Sequence, residues 1–560
     1  MNHFEFSTMS EHTETTESSD VQSGLNRRRF LHLTGATGVA FGLAGCAGSG
    51  GDGGSTTTEQ QKTQTTSSGS GGSNKLIWGH SEVTQKLDVH IIQTAASSRF
   101  LNNIHQTLVG LTNKLEVSSK ADIQDPGLAK NWEISDDRKQ YTFTLRDGVK
   151  FHDGSTLTSA DVKYSFDRIR NPDLGARYKG IIDHFEEVKT PDDKTVVIDL
   201  GDERYNPILR QLAFLGTAII PEGSGSKQGK NPIGTGPFKF ESRQQGNKSI
   251  LKAHDEYWGN GPYIDTVEER TVTDPDTRLT GVQEGSYDFI NDIPLDNMKD
   301  VINNQEDNLQ TSTWRPLAFN HIYFHTGQAP FDNLKWREAI VYAIDKQQLV
   351  DGALFGQGTP IQSPSYPNSP YRNNNLEPRP QDPDKAKSLI DNSEYSLEEY
   401  TPLTFKVTTN YPWHIDAATI MQQHFSQAGI DIEIQKLQWG DWLSEITNMN
   451  YRISMVNWFG GWEPAQMYRG LWHSDGGFNA FAYSSDRYDN AIEKAETAPS
   501  KKKEIEWYKK AQKILHEELP SPFLWFRDGA MAAKQSVQNI ETILDPDNTA
   551  VNFSEVRLNE

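Results

Sequence analysis

The densest aromatic stretch of the chain, Leu437–Trp472, includes Trp439, Trp442, Trp458, Phe459, Trp462, Tyr468 and Trp472. Indole rings combine a large apolar face with one N–H donor, so a group of them can stack on a flat solute and fix its orientation. Glu463, next to Trp462, adds a carboxylate able to hold a cation or a hydroxyl. The same residues could instead fill a core. Trp is rarely fully buried, and this density exceeds what a plain core needs, so a ligand-cleft wall is the preferred reading.

Other chemistries find little support. The sequence has no G-x-S-x-G elbow and no H-E-x-x-H helix. Lys239 in NPIGTGPFKF lacks the frame of a phosphate loop. Carboxylates are plentiful, but nothing in the sequence singles out two of them as a glycosidase pair. The reading is therefore a binder and not an enzyme, with no cofactor. His321 and His325 fall on one face of an apparent strand, about 13 Å apart at ~3.3 Å per residue. That is too far to share one ion, so no metal site is expected.

Composition narrows the partners. The 560 residues carry 55 basic and 76 acidic side chains, a net charge of −21. Nucleic-acid binding requires a basic face, so it is excluded. The acidity serves either general solubility or life in high salt, and Asp-rich loops such as Asp382–Asp384 and Asp545–Asp547 favour the second. The single cysteine, Cys46, rules out an internal disulfide and a thiolate cluster.

Cys46 closes a segment with its own logic. Residues 26–46 read NRRRFLHLTGATGVAFGLAGC. Arg27 and Arg28 followed by Phe30 and Leu31 fit a twin-arginine export signal. The apolar run after Gly35 is too short to span a membrane and has the form of a signal h-region. Leu43-Ala44-Gly45-Cys46 is similar to a lipobox, which implies cleavage before Cys46 and a lipid on its thiol. Residues 47–74 are almost only Gly, Ser, Thr, Gln and Asp, a tether that cannot bury enough surface to order itself. The folded part is expected from Lys75.

The elements that must carry the aromatic wall follow. Leu76–Glu82 reads as a first strand and Ala95–Leu111 as a helix. Tyr141, Phe143 and Leu145 alternate with polar residues, the period of a half-buried strand. A short strand is expected at Val149 and Phe151. Thr158 is a candidate N-cap with Asp161 three residues on, and Val162, Phe166 and Ile169 repeat at helical spacing behind it. Thr195–Leu200 reads as a strand, Asn206–Phe214 as a helix with Pro207 in its first turn, and Ala318–Thr326 as a strand.

The order W-x-x-S-x-D, Y-x-F-x-L-R-x-G-V-K-F-x-D-G, L-T-x-x-D-V-x-x-S-x-x-R within Leu128–Arg168 resembles the signature of the family 5 extracellular solute-binding proteins. Further matches are N-P-I-G-T-G-P-F at Asn231–Phe238, the Y-W-G-N-G-P-Y-I-D run at Tyr257–Asp265, the helix-and-strand run Thr277–Phe289, the helical run Phe331–Val350, and D-P-D-K-A at Asp382–Ala386. The resemblance covers nearly all of the chain after Leu76, to about Phe523–Phe526. It implies an α/β, periplasmic-binding-protein-like fold (type II, cluster C), two lobes hinged around a ligand cleft with an extra domain. Its lobes would be residues 75–112, 213–326 and 505–560 for the first, 113–212 for the extra domain, and 327–504 for the last.

The resemblance also implies the role: a substrate-binding protein delivering a solute to an ABC permease, held outside the cell by the lipid on Cys46, a monomer, and of the type of a haloarchaeal lipoprotein. In relatives an Asp following the Trp matched by Trp458 binds a peptide's amino terminus. Here that position is Gly461, and Glu463 is the expected substitute. Trp439 matches a pocket-lining Trp. The expected ligand residues are Trp439, Trp458, Trp462 and Glu463, with Tyr323, Asn479 and His80 behind them. Peptides lead as ligand; oligosaccharides or a nickel or other metal chelate are alternatives within the same role. A signalling receptor and an exported hydrolase are the readings from other classes.

Overall fold

The computed structural model describes residues 74–92, 94–110, 127–304, 309–314, 318–458, 464–543 and 551–559. Cys46, the tether, Trp462 and Glu463 lie outside the described residues. The first sheet runs Leu309–Trp314, Gly529–Lys534, Phe289–Ile290, Lys75–His80, Thr266–Thr271, Lys248–Ala253, Phe238–Gln244. Lys75–His80 lies parallel to both its neighbours. A strand flanked in this way is covered on both faces, and Leu76 and Trp78 are fully buried.

The extra domain is a four-stranded antiparallel sheet, Ala129–Ile134, Gln140–Leu145, Thr195–Asp199, Glu187–Asp192, under the helix Ser159–Arg170. Tyr141, Phe143 and Leu145 point inward as their alternation predicts, and Val162, Phe166 and Ile169 meet them in one core. The Thr158 N–H donates to Asp161 Oδ2 at 2.8 Å and the Thr158 side chain faces the Asp161 N–H, which together make the expected capping box. Asp161 Oδ1 also accepts from Glu222 N–H at 2.8 Å, so the cap ties the domain to the chain beyond it. The strand expected at Val149 and Phe151 is only an isolated bridge, Lys150 to Thr156.

The third sheet runs Gly358–Pro360, Phe523–Arg527, Phe319–Phe324, Ile453–Trp458, Leu403–Thr408, Ile432–Leu437. All six residues of Phe319–Phe324 are buried, because both faces of this sheet carry cores. Ile322 and Phe324 pack on one side and Phe319 and Tyr323 on the other. The Phe331–Val350 run forms two helices, Leu334–Ala343 and Lys346–Ala353. Asp345 divides them, its carboxylate accepting from the N–H groups of Gln347 and Gln348 as a new N-cap.

The chain crosses between the first and third sheets at two places. Trp314 ends a strand of one and Phe319 begins a strand of the other; Arg527 and Gly529 do the same with only Asp528 between them. These pairings correct the expected lobe boundaries: Phe319–Phe324, the helix Lys501–Glu518 and Phe523–Arg527 belong to the last lobe. Tyr508, Ala511, Ile514 and Leu515 of that helix are buried in its core. Trp314 pairs with Gly529 across the first sheet. A Cβ at position 529 would stand 2.4 Å from the Trp314 ring, so only glycine lets the indole lie flat over the crossing strand.

Candidate functional site

In open α/β sheets, ligands bind beyond the carboxyl ends of parallel strands. In the first lobe, the parallel strands Lys75–His80 and Phe289–Ile290 end at Ser81–Glu82 and Asn291–Asp292. In the last lobe, Leu403–Thr408, Ile432–Leu437 and Ile453–Trp458 are parallel and end at Thr409–Trp413, Gln438–Trp442 and Trp458. The two edges face each other. Arg527 Nη1 lies 3.7 Å from Asp292 Oδ1, and the guanidinium stands over the rings of Trp413 at 4.8 Å and Trp314 at 5.5 Å. Burial pushes the Tyr411 phenol up to about 12. Glu82 of the opposite lobe adds to the rise, while Arg527 and Arg99 oppose it.

Aromatic rings line the last lobe's side of this edge. Tyr411 stacks on Trp413 with centroids 5.2 Å apart and meets Trp439 edge-on at 6.3 Å. Trp439, 40% exposed, lies on Trp442, which is 2% exposed and donates its N–H to Ser454 Oγ at 3.0 Å. Trp458 is half-buried and touches the exposed Phe478 ring at 5.1 Å. Arg177 of the extra domain approaches the same Phe478 ring at 5.6 Å. The aromatic stretch therefore divides: Trp442, Tyr468 and Trp472 are core, while Trp439 and Trp458 present surface at the strand ends.

A buried polar chain backs this wall. His414 Nε2 lies 2.8 Å from Asn320 Oδ1, and Asn320 donates to Asn457 Oδ1 at 3.2 Å. Burial pushes the His414 imidazole down to about 3, so it is neutral near pH 7. Because Asn320 spends its amide N–H on Asn457, its oxygen accepts from His414 Nε2–H. Asn457, half-buried beside Trp458, is thus held in one orientation.

Three expected ligand residues are placed elsewhere, and these are corrections. Tyr323 is 4% exposed and packs on Phe481 at 4.3 Å, its hydroxyl pushed above its usual range by burial. Asn479 ties a turn, donating to the carbonyls of His473 (3.0 Å) and Tyr483 (2.7 Å) and accepting from the Tyr483 N–H. His80 is fully buried, stacked on Trp78 at 4.2 Å and 2.6 Å from Glu269 Oε1. Burial holds its pKa down, with Glu269 opposing.

Sequence reading also missed Tyr411, Trp413, Asp292, Arg527 and Asn457. The run TNYPWH directly after the strand Leu403–Thr408 was the available signal for the first two. A lone Arg ending an aromatic strand carries none.

Two sheets joined by paired crossings, with facing strand ends lined by aromatic and charged groups, define a hinged two-lobed solute-binding protein. The family model described as bacterial extracellular solute-binding proteins, family 5 Middle, matches residues 124–480. The chain belongs to this family. It is 28% identical over 431 residues to the dipeptide-binding protein of Escherichia coli (strain K12), covering 71% of this chain and 79% of that protein. It is 29% identical over 449 residues to the glutathione-binding protein GsiB of Salmonella paratyphi A, covering 78% and 85%. The peptide-bound periplasmic binding protein DppA of Helicobacter pylori shares the fold, with a TM-score of 0.75 at 24% identity over 87% of this chain and 98% of that one. Members of the family are substrate-binding components of ABC transporters and not enzymes. Among the described residues, no helix is long and apolar enough to cross a membrane.

Proposed function

We propose that the cleft captures short peptides outside the cell and that the protein hands them to its ABC permease. The observation that carries this reading is the meeting of charged and aromatic groups from both lobes at one edge: Asp292 and Arg527 supply opposite charges, and Trp413 and Trp439 supply apolar area. A zwitterionic chain with side chains needs both. Two relatives are named for dipeptide and glutathione, each an amide-linked amino-acid ligand. Trp458, Trp462 and Glu463 complete the proposed ligand set. Lipidation of Cys46 after twin-arginine export, a monomeric state and adaptation to high salt belong to the same reading.

The exposed face of Trp439 favours oligosaccharides as the second reading, because an indole face stacks on a sugar ring. Mass spectrometry of the ligand released on denaturing the purified protein decides between them. A ladder of short peptides is expected. A single sugar or a metal chelate overturns the peptide reading.

A further inference from the structure

The guanidinium of Arg527 is charged, largely buried and poorly paired. Its side chain is 14% exposed, and its nearest carboxylate oxygen, on Asp292, is 3.7 Å away, beyond hydrogen-bond distance. The Asp292 carboxylate lies 3.7 Å from Arg278 Nη2 as well and hydrogen-bonds neither guanidinium, its Oδ1 buried without a donor among the described residues, while Arg278 Nε donates to the Asp292 carbonyl at 3.3 Å. Among the described residues, Arg527 Nη1 is buried without an acceptor, and so are the Nε1 groups of Trp314 and Trp413, whose rings flank it. Leaving a buried donor unmade is costly, more so for a charged one, so donors gathered at one place point to an acceptor that arrives from outside.

The geometry also selects the kind of acceptor. Trp314 comes from the first lobe and Trp413 from the last, and the guanidinium carbon lies over both rings, at 5.5 and 4.8 Å, so its apolar faces have partners and its N–H edge is what remains for a ligand. In that plane its N–H groups form a fork that matches a planar, two-oxygen anion. A sugar hydroxyl would satisfy one donor and none of the charge. The position adds a mechanical consequence: Arg527 is the last residue before a chain crossing, so an anion held there contacts both lobes at the hinge.

We propose that Arg527, held between Trp314 and Trp413, is the anchor for a carboxylate of the ligand. In its peptide form the proposal rests on the functional reading above, where this group would be the carboxyl terminus. The test titrates trialanine and trialanine amide into the full chain, wild type and R527Q, R527K, by tryptophan fluorescence, with thermal melts to confirm folding. Wild type is expected to bind the acid about 10- to 100-fold more tightly than the amide, the range of one charge-assisted hydrogen bond. R527Q should bind both at the weaker level, and R527K should recover part of the difference as a point charge without the fork.

Equal binding of acid and amide by wild type, or wild-type affinity for the acid in R527Q, overturns the anchor. If neither peptide binds wild type, the peptide reading fails alone, and the small molecule released from the purified protein decides the anchor. A carboxylate-bearing molecule present in wild type and lost from R527Q supports it. A molecule without an anionic group overturns it.

Discussion

Two buried charged centres flank the face between the lobes, and they differ in how they are completed. His80 and Glu269 meet at 2.6 Å, with side chains 0% and 2% exposed, and Thr84 Oγ donates to the same carboxylate at 2.8 Å. Burial alone would raise the Glu269 carboxyl, but the hydrogen bonds from His80, Ser249 and Thr84 together with the attraction of His80 hold it below the usual carboxylate range. That centre is completed inside one lobe as far as its charge goes: the carboxylate has both its close donors, and only the neutral ring's Nε2 is left without a partner among the described residues. Arg527 and Asp292 come from two lobes and stand 3.7 Å apart. Burial alone does not mark a ligand site; burial with unmet donors at a lobe boundary does. If this contrast is right, damage to the first centre should cost stability and damage to the second should cost affinity.

Acid gives the largest separation. His90 and His414 resemble His80 in being buried and neutral, with pKa values pushed down to about 4 and about 3, chiefly by burial. Their unfolded value is about 6.5. A folded pKa below the unfolded one gives stability that is complete above about pH 6.5 and lost as pH falls toward the folded value. Each imidazole should cost about 1.4 kcal/mol per pH unit in that window. Urea unfolding at pH 6.5 and 4.5 should therefore differ by about 5 kcal/mol, with affinity per folded molecule flat. An unchanged midpoint would remove the closed-centre account of these histidines.

The substitution His80→Ala comes next. It strands the Glu269 carboxylate with hydroxyl partners and should cost about 3–5 kcal/mol by chemical denaturation, with ligand affinity intact in the folded fraction. R527Q should do the reverse, changing stability by about 1 kcal/mol or less, because the Asp292 pair is long and partly exposed. Similar stability losses in both variants would erase the distinction between the two centres.

Gly529→Ala joins the two behaviours at the crossing. The added methyl meets the Trp314 ring at 2.4 Å, and overpacking of this kind costs about 1–3 kcal/mol. Because Trp314 is one side of the Arg527 slot, affinity should fall as well. A stability loss without an affinity loss would mean that Trp314 does not position the guanidinium.

Much of the fold was legible because local rules and tertiary environment agree. The Tyr141–Leu145 alternation and the Thr158–Asp161 cap hold where the sequence places them, while Asp382, expected in a loop, caps the helix Pro383–Asp391. Sheet membership was not legible. FLWFRDGAMAA reads as one apolar run broken by a turn, yet its halves join different sheets, since hydrophobicity says that a strand is buried and not where. Phe319–Phe324 is buried on both faces, so alternation could not tell Tyr323 from a cleft residue. The family resemblance singles out Trp439, whose ring is exposed at a strand end, whereas Arg527 gains its meaning only from Asp292, Trp314 and Trp413, distant in sequence.

The smallest expected effect on stability tests the wall itself. Trp439 and Trp442 are three residues apart on one helix and stack at 5.2 Å, yet one ring is 40% exposed and the other 2%. Removing the exposed ring, Trp439→Ala, gives up little burial and should change stability by about 0.5 kcal/mol. Trp442→Ala opens a cavity and removes the donor to Ser454 Oγ, which keeps only its bond to the Lys406 carbonyl, at a cost of about 3–5 kcal/mol. If Trp439 stacks on ligand, its loss should weaken binding and remove most of the ligand-induced fluorescence change, leaving the melting curve nearly in place. A Trp439→Ala variant with unaltered affinity would assign that ring to the surface of the lobe and leave the Tyr411–Trp413 pair as the aromatic face of the site.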